Sequence, residues 1–318
     1  MDTENTHHED DEQVSTRSKS KSKRKIIWLI TGLIAIIVLA VVIFLTWLYT
    51  GQLNDFKTNV FKSVPLPAVA VDTSLIPAQD IFRRFQVAED VLGPEQANQR
   101  KAELQNQILE RLVADAQAEI QARKLKISIS DAEITEQYNR LVEQLAGGSE
   151  SDFETAVKEN YRLSLNEFRS EIIRPDIMQS KMQLWFNEQK DLNSEVFKKT
   201  DEIQSKLASG EAFGSLALAY SDDEGTKNLE GDAGTIAISD MLPEFQAVLK
   251  TAKTGDVKQA GSRYGQHIIK VIDRDVSEGE DNAKLHVQQI FIKQDGFAKW
   301  YDEQIKAIKV FNFLKFEA

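Results

Sequence analysis

The sequence contains no cysteine in its 318 residues. This absence excludes disulfide bonds, thiolate metal sites, a cysteine nucleophile and lipid attachment through cysteine. A net positive charge is also lacking: the formal net charge is -11, whereas a surface that binds nucleic acid needs basic residues to contact phosphates. The sequence has no glycine-rich phosphate loop and no cluster of metal-ligating residues. We therefore expect no nucleic-acid partner, no metal and no cofactor.

Charged residues are missing from one long run, residues 26–49. A helix of that length, at 1.5 Å per residue, spans about 36 Å, enough to cross a hydrocarbon layer of roughly 30 Å. The basic residues between Arg17 and Lys25 come directly before the run, and such residues stay in the cytoplasm. No small-residue cleavage site follows. The sequence therefore predicts an uncleaved signal anchor of a bacterial cell membrane: a single pass through the lipid bilayer, with the N-terminus cytoplasmic and the C-terminal domains extracytoplasmic.

The segments on either side of the anchor are polar. Residues 1–25 have an acidic start and a basic end, and they cannot bury enough apolar surface to fold, so we expect a disordered cytoplasmic tail. His7 and His8 could chelate a metal, but a solvated tail is the favoured interpretation. Residues 50–63 are predicted to be a polar tether between the membrane and the first domain.

Helical patterns dominate residues 64–190. Prolines at 65 and 67 favour extended backbone, and Ala68-Val69-Ala70-Val71 is typical of a short strand. A helix is expected from about Ala78 to Gly93-Pro94, and apolar residues between 95 and 122 recur at helical spacing. A last helix is expected over about 166–189. Three capping boxes predict further helix starts: Ser130 with Glu133, Ser151 with Glu154, and Ser164 with Glu167.

Two motifs mark this helical region. They are Pro67-Ala68-Val69-Ala70-Val71 in the strand and Lys126-Ile127-Ser128-Ile129-Ser130-Asp131-Ala132-Glu133-Ile134 at a helix junction. Their order resembles the N-terminal chaperone region of SurA-like periplasmic folding factors. The resemblance implies a chaperone domain that binds unfolded polypeptides. The alternative is an ordinary helical bundle.

A second set of motifs lies between Leu207 and Ile272. In chain order they are Gly210-Glu211-Ala212-Phe213, Tyr220-Ser221-Asp222-Asp223, Gly231-Asp232-Ala233-Gly234, Met241 with Phe245, and Gly265-Gln266-His267-Ile268-Ile269-Lys270. Their order and spacing resemble the parvulin family of peptidyl-prolyl isomerases. The resemblance implies an antiparallel sheet flanked by helices over residues 191–296, and catalysis of cis/trans isomerisation at X-Pro bonds.

One strand of that family is missing from its usual place. The family's first strand carries a histidine and precedes the first helix, but residues 187–205 are charged and lack a β-branched run. Residues 284–293 look like this strand, with Gln289 where the histidine stands. Because an antiparallel pair needs only a connecting loop, we predict a circular permutation in which these residues pair beside His267. The alternative is that residues 284–293 belong to another sheet.

The last residues return to the first domain. An amphipathic helix over about 297–308 precedes residues 310–316, which alternate like a strand, and Val69 to Val71 is the expected partner. Residues 297–318 would then complete the chaperone domain with a small terminal sheet. The predicted fold class is α+β: one transmembrane helix, a mostly helical domain over 64–190, and a parvulin-like domain over 191–296.

The resemblance to parvulins also implies the site. The barrier to rotation about a peptide bond is about 18–20 kcal/mol, and an enzyme lowers it by complementarity to the twisted amide, with no bond to a side chain. The implied catalytic residues are Asp223, His267 and Gln289. The implied substrate-binding residues are Met241, Phe245, Ile236 and Tyr264. Without the resemblance, Met241 and Phe245 could be plain core residues and His267 a structural histidine.

Three residues depart from the family pattern. Gln289 cannot titrate near neutral pH as histidine does, and Glu230 and Ala233 replace a glycine and the leucine of the family's G-G-D-L-G motif. These departures bear on the catalytic rate more than on the fold. The first hypothesis is a membrane-anchored extracytoplasmic foldase with chaperone activity, acting on unfolded or proline-containing polypeptide clients. The alternatives are a holdase with a weak or inactive isomerase domain, and a purely structural envelope protein. The oligomeric state does not follow from the sequence.

Overall fold

The structure is a computed structural model that describes residues 10–277, 279–280 and 283–316, with side chains from Trp28 onward except that of Leu29. His7, His8 and the rest of residues 1–9 lie outside the described residues. The chain divides into two compact units. The first comprises residues up to 70, 75–109 and those from 311 onward, and the second comprises residues 71–74 and 110–310.

The elements, in chain order, are mostly helical before residue 220 and mostly strands after it. The helices are α1 Asp10–Tyr49, α2 Asp55–Ser63, α3 Ala78–Leu92, α4 Pro94–Gln99, α5 Lys101–Lys124, α6 Asp131–Ala146, α7 Glu150–Tyr161, α8 Leu165–Phe168, α9 Arg174–Glu188, α10 Ser194–Ala208, α11 Phe213–Tyr220, α12 Pro243–Leu249 and α13 Phe297–Lys306. The strands are β1 Pro67–Val71, β2 Ser74–Pro77, β3 Asp232–Ala237, β4 Val257–Ser262, β5 Gly265–Asp275, β6 Lys284–Lys293 and β7 Val310–Asn312. This content confirms the predicted α+β class.

Helix α1 contains the apolar run. Within the described residues, Ile30–Tyr49 is the one stretch that is long and apolar enough to cross a membrane, judged by length and composition. The helix begins at Asp10, so it includes part of the segment that the sequence predicts to be a disordered tail. Extending an existing helix costs far less than starting one, and the segment is rich in good helix formers such as lysine and arginine.

The predicted tether over residues 50–63 is wrong from Asp55 onward, where α2 begins. The Asn54 side chain accepts a hydrogen bond from the Lys57 amide at 2.9 Å and caps the first turn. Phe61 is fully buried, and its ring lies 5.2 Å from the ring of Tyr49 in an edge-on contact. Because so few apolar residues occur in this polar segment, no helical period was visible in the sequence.

The terminal sheet has the strand order β2-β1-β7, which confirms the predicted pairing of the last strand with the first. The last strand ends at Asn312 instead of continuing to 316, because the amides of Phe313 and Leu314 both donate to the Ala68 carbonyl and turn the chain. Phe316 is buried, with its ring 6.2 Å from that of Phe82 on α3. Residues from 311 onward therefore complete the first unit, whereas helix α13, which the sequence assigned to the same domain, belongs to the second unit.

Helices α6 to α8 begin at serine caps. The capping boxes at Ser130 and Ser164 are confirmed. The box predicted at Ser151 is wrong, because Ser149 caps α7 by accepting the Asp152 amide. Gly147 adopts a left-handed conformation (φ 55°) at the end of α6, so the chain reverses early and the next helix starts two residues sooner.

A π-helical turn, Arg169–Ile173, joins α8 to α9. The Arg174 amide donates to the Arg169 carbonyl, five residues back. Pro175 has no N–H to continue the α-helical ladder, which explains why the wider turn precedes it. At the other end of α9, the Asn187 side chain donates to the Ser262 carbonyl at 2.7 Å. This contact joins α9 to the sheet of the second unit, which includes all residues from 110 to 310, whereas the sequence placed the domain boundary at residue 190.

The second unit contains a four-stranded sheet with the order β3-β6-β5-β4, in which every pair is antiparallel. Strand β6 pairs with β5 as predicted, so the alternative of a separate sheet is wrong. Helices α10 and α11 cover one face, against Ile268, Ile290 and Ile292. Helix α12 covers the other face, where Leu249 packs with Leu285. Strand β6 is one of the two interior strands of this sheet and, like β5, supplies buried residues to both cores.

Candidate functional site

The register of β5 and β6 determines which side chains share the α12 face. His267 lies opposite Phe291, and Ile269 lies opposite Gln289. Because alternate residues of a strand point to the same face, His267, Gln289 and Phe291 lie on one side of the sheet. The predicted register is confirmed, since a slip by one residue would have placed Gln288 there.

His267 lies between two aromatic rings. The Phe245 ring from α12 contacts it edge-on at 4.7 Å between centroids, and the Phe291 ring stacks on it at 4.6 Å. Its Nε2 atom is 2.8 Å from the Ser262 hydroxyl, which also accepts the Tyr264 amide at 3.1 Å. Among the described residues, the buried Nδ1 atom has no hydrogen-bond partner.

Asp223 and Gln289 form a polar pair beside these rings. The Gln289 side-chain amide donates to Asp223 Oδ2 at 2.7 Å. The Thr226 hydroxyl and the Gly225 amide also donate to the Asp223 carboxylate. The preceding residues fix this loop on β6, because the Asp222 amide donates to the Phe291 carbonyl at 2.7 Å and the Phe291 amide donates to the Ser221 hydroxyl.

Opposing effects act on the Asp223 carboxylate. Burial raises the pKa of Asp223, but the three hydrogen bonds that it accepts and the proximity of His267 outweigh this effect, so the pKa lies below its usual range. The carboxylate is therefore ionised at neutral pH. It accepts one amide hydrogen of Gln289 and so holds that side chain in one orientation.

The other predicted site residues lie at different depths. Met241 is buried in the α12 core, and Ile236 packs against the same core while remaining partly exposed. Tyr264 stands apart: its ring is 49% exposed, and the Arg263 guanidinium lies 4.9 Å above it. The structure therefore brings Asp223 to Gln289 and Phe245 to His267, and Met241 and Ile236 pack in the same core as Phe245.

Sequence reasoning missed two members of the site, Ser262 and Phe291. Phe291 could have been found from strand alternation, because it is two residues beyond Gln289 and on the same face. Ser262 could have been found only from the hairpin geometry: it is opposite Gly265 across a two-residue connection, which brings its hydroxyl back to His267.

Burial lowers the pKa of His267 to about 4, although the Gln289 side chain and the negative charge of Asp223 act in the opposite direction. Its imidazole is 7% exposed between the two phenyl rings, where a charged form is poorly solvated. The site therefore contains a neutral histidine throughout the physiological pH range.

We expect the free energy of unfolding to fall as the pH is lowered from about 6.5 to about 4. The unfolded chain protonates a histidine near pH 6.5, whereas folded His267 protonates only near pH 4. Between these values the unfolded state binds more protons, so stability that is fully present above pH 6.5 is lost on acidification, by about 3 kcal/mol in all. Urea midpoints across this range, compared with those of His267→Gln, measure the effect. An equally steep loss in His267→Gln would assign it to other groups.

The antiparallel sheet, its helices on both faces and the histidine between aromatic rings together define the class: a PPIC-type peptidyl-prolyl isomerase domain. A family model described as "PPIC-type PPIASE domain" matches residues 179–273, and one described as "SurA-like N-terminal domain" matches residues 15–183. The second match covers more than half of the chain. The protein therefore belongs to the SurA-like foldase and chaperone family and carries a PPIC-type isomerase domain. The isomerase match ends before β6, as expected if this strand has moved to the end of the domain.

Named relatives agree with both matches. The chain is 29% identical over 229 residues to "Foldase protein PrsA" from Caldanaerobacter subterraneus subsp. tengcongensis, covering 65% of this chain and 70% of the relative. It is 36% identical over 107 residues to "Chaperone SurA" from Chromohalobacter salexigens, covering 33% of this chain and 24% of the relative. A crystal structure of the peptidylprolyl isomerase PrsA from Bacillus anthracis aligns with 62% of this chain and 86% of its own at 18% identity, with a TM-score of 0.22 that is too low to bear on the fold.

Proposed function

We propose that the protein is a membrane-anchored extracytoplasmic foldase that isomerises X-Pro bonds in unfolded or proline-containing polypeptides and also binds such chains as a chaperone. The observation that carries the isomerase activity is the stack of Phe245, His267 and Phe291 beside the Gln289–Asp223 pair. It combines apolar ring faces with oriented polar groups, and an isomerase needs both.

The site can stabilise a twisted amide without forming a bond to it. The exposed parts of Phe245 and Phe291 offer apolar surface to the pyrrolidine ring of proline. When the peptide bond rotates, conjugation is lost and the carbonyl and nitrogen develop separate polar character. The Gln289 amide, held by Asp223, can meet that change with a hydrogen bond that is stronger in the transition state than in the ground state. A neutral His267 adds no charge that would have to be desolvated when substrate enters.

We expect Phe245→Ala to lower kcat/KM for proline isomerisation about ten- to hundredfold, because an exposed apolar contact of this size contributes about 1.5–3 kcal/mol. Turnover is measured with a protease-coupled assay on the detergent-solubilised full chain. Val248→Ala is the matched control, since Val248 packs on the same core but is not one of the two rings that flank His267. Full turnover by a folded Phe245→Ala variant would place the proline pocket elsewhere.

The holdase is the second candidate, because Gln289 stands where the family has a histidine. It predicts that the full chain suppresses aggregation of an unfolded client while prolyl turnover equals the uncatalysed rate. A chain that does neither would instead be a structural envelope protein. Measuring both properties on one preparation separates the three functions.

The topology gives a further expected result. With the basic residues from Arg17 to Lys25 retained inside, protease added to intact spheroplasts should digest the domains beyond Thr50 and leave the N-terminal tail intact. Antibodies against the two ends read out each fragment, and detergent-lysed cells provide the control for complete digestion. Protection of the C-terminal domains in intact spheroplasts would reverse the orientation.

A further inference from the structure

The end of the apolar helix is built into the first unit. Leu48 is only 1% exposed, and the Tyr49 hydroxyl donates to the Pro67 carbonyl of β1 at 2.9 Å. The Tyr49 ring also lies 6.0 Å from that of Phe313. The Lys57 ammonium of α2 donates to the Thr50 carbonyl at the end of the helix. These contacts join the end of the helix directly to the unit that follows it.

Beside this junction lies a continuous apolar surface, which we call the aromatic patch: Phe44, Trp47 and Phe56. The ring of Trp47 is 6.0 Å from that of Phe44 and 5.9 Å from that of Phe56. The three residues are 43%, 45% and 57% exposed. Phe44 and Trp47 belong to the apolar helix, whereas Phe56 belongs to α2, so the patch continues the surface of the span onto the folded unit.

The position of Trp47 indicates how deep the patch would lie. Trp47 is two residues before the end of the stretch that could cross a membrane. Tryptophan at such a position lies at the level of the lipid headgroups. Because Phe56 contacts Trp47, the first turn of α2 must lie at the same level. Another side of α2 is already occupied, since Phe61 is buried in the unit, and the buried Lys57 ammonium lies over the Trp47 ring at 4.9 Å.

We propose that the aromatic patch contacts lipid and holds the first unit against the headgroup layer, with α2 lying at the bilayer surface. This inference rests on the membrane anchoring proposed above. It explains why large aromatic side chains are exposed at this place, because their burial among headgroups and acyl chains is favourable. It also means that the anchor holds the unit in one orientation.

Single-cysteine variants of the full chain test whether the aromatic patch contacts lipid. The absence of natural cysteine makes these variants simple to prepare. Nitroxide labels are placed at Phe56→Cys, at Ile36→Cys in the middle of the span, and at Val91→Cys on α3. Val91 is the matched control because it is 57% exposed, like Phe56. Each variant is reconstituted into phosphatidylcholine–phosphatidylglycerol vesicles, and the label's collisions with dissolved oxygen and with a water-soluble nickel chelate are measured. Circular dichroism checks that each variant is folded.

The inference predicts that the label at 56 collides several-fold less often with the nickel chelate, and more often with oxygen, than the label at 91. A lipid-exposed label at 36 with a water-exposed label at 56 would contradict the lipid contact of the aromatic patch but would support the membrane anchor. A water-exposed label at 36 would contradict both the membrane anchor and the lipid contact of the aromatic patch. Spin–spin broadening at 56 that grows with the protein-to-lipid ratio would show that a second copy of the chain covers the aromatic patch. This result would contradict the lipid contact.

Discussion

Ending the chain at Asp275 is expected to unfold the isomerase domain, whereas ending it at Gln294 is expected to leave that domain folded. Both truncations remove α13 and β7, so they differ only in residues 276–294, which contain β6. Strand β6 lies between β3 and β5 and pairs with both. Its loss therefore divides the sheet.

The size of this effect follows from burial. Leu285, Ile290 and Ile292 of β6 are almost completely buried, two on one face and one on the other. Each contributes about 1.5–3 kcal/mol, or about 4–9 kcal/mol together, against a total stability of about 5–15 kcal/mol for a typical domain. The backbone groups of β3 and β5 would also lose their partners.

Hydrogen exchange of the β5 amides distinguishes the two truncated chains. We expect protection of β5 in the chain that ends at Gln294 and none in the chain that ends at Asp275. A fragment of residues 190–275 that melts cooperatively would show that β6 is not part of the domain, and the permuted arrangement would have to be abandoned.

The second large effect is expected from Gly231→Ala, at a loss of about 2–5 kcal/mol in stability. Gly231 has φ +83°, and a Cβ atom there would lie 2.6 Å from the Gln289 carbonyl oxygen and 3.0 Å from Ala217 Cβ. The backbone N–H of Gln289 donates to the Gly231 carbonyl at 2.8 Å, so the two backbone segments cannot separate without breaking this hydrogen bond. Any shift of Gln289 also weakens its contact with Asp223, so turnover should fall as well.

Gly255→Ala is the matched control for this substitution. Gly255 has a similar φ of +93°, but no non-neighbouring atom of the described residues lies within 4 Å of the position that a Cβ atom would take there. The Gly255→Ala variant should lose only about 1–2 kcal/mol of stability, because alanine is strained in left-handed backbone. Its turnover should be unchanged. Urea denaturation and the protease-coupled assay measure the two losses. Equal destabilisation by both substitutions would mean that the close approach of β6 to Gly231 adds nothing to the loss of stability.

The sequence predicted the isomerase sheet well because several local signals agreed there. The alternation in residues 284–293 fixed which face each side chain takes, and burial of Ile290 and Ile292 resists a slip in register. The motif around His267 and the spacing of Met241 and Phe245 placed the site on one face. The capping boxes at Ser130 and Ser164 marked helix starts for the same reason: the signal is contained in four consecutive residues.

The features that could not be predicted depend on contacts between distant residues. Residues 50–63 form a helix because Phe61 meets Tyr49 and Asn54 caps the first turn, and a single buried aromatic gives no period. The start of α7 depends on the backbone of Gly147, so the stronger-looking cap at Ser151 was the wrong choice. The neutrality of His267 depends on Phe245 and Phe291, which are remote in sequence from each other.

The central position of β6 also governs when the domain can be completed during synthesis. Strands β3, β4 and β5 are all made before it, yet β3 has no pairing partner among the described strands until residues 284–293 have emerged from the ribosome. Until then the facing edges of β3 and β5 remain open, and such edges readily pair with other chains. Folding of this domain is therefore a late, single event that awaits the C-terminal part of the nascent chain. The open edges of β3 and β5 would therefore need protection from other chains during the interval between the synthesis of β3 and that of β6.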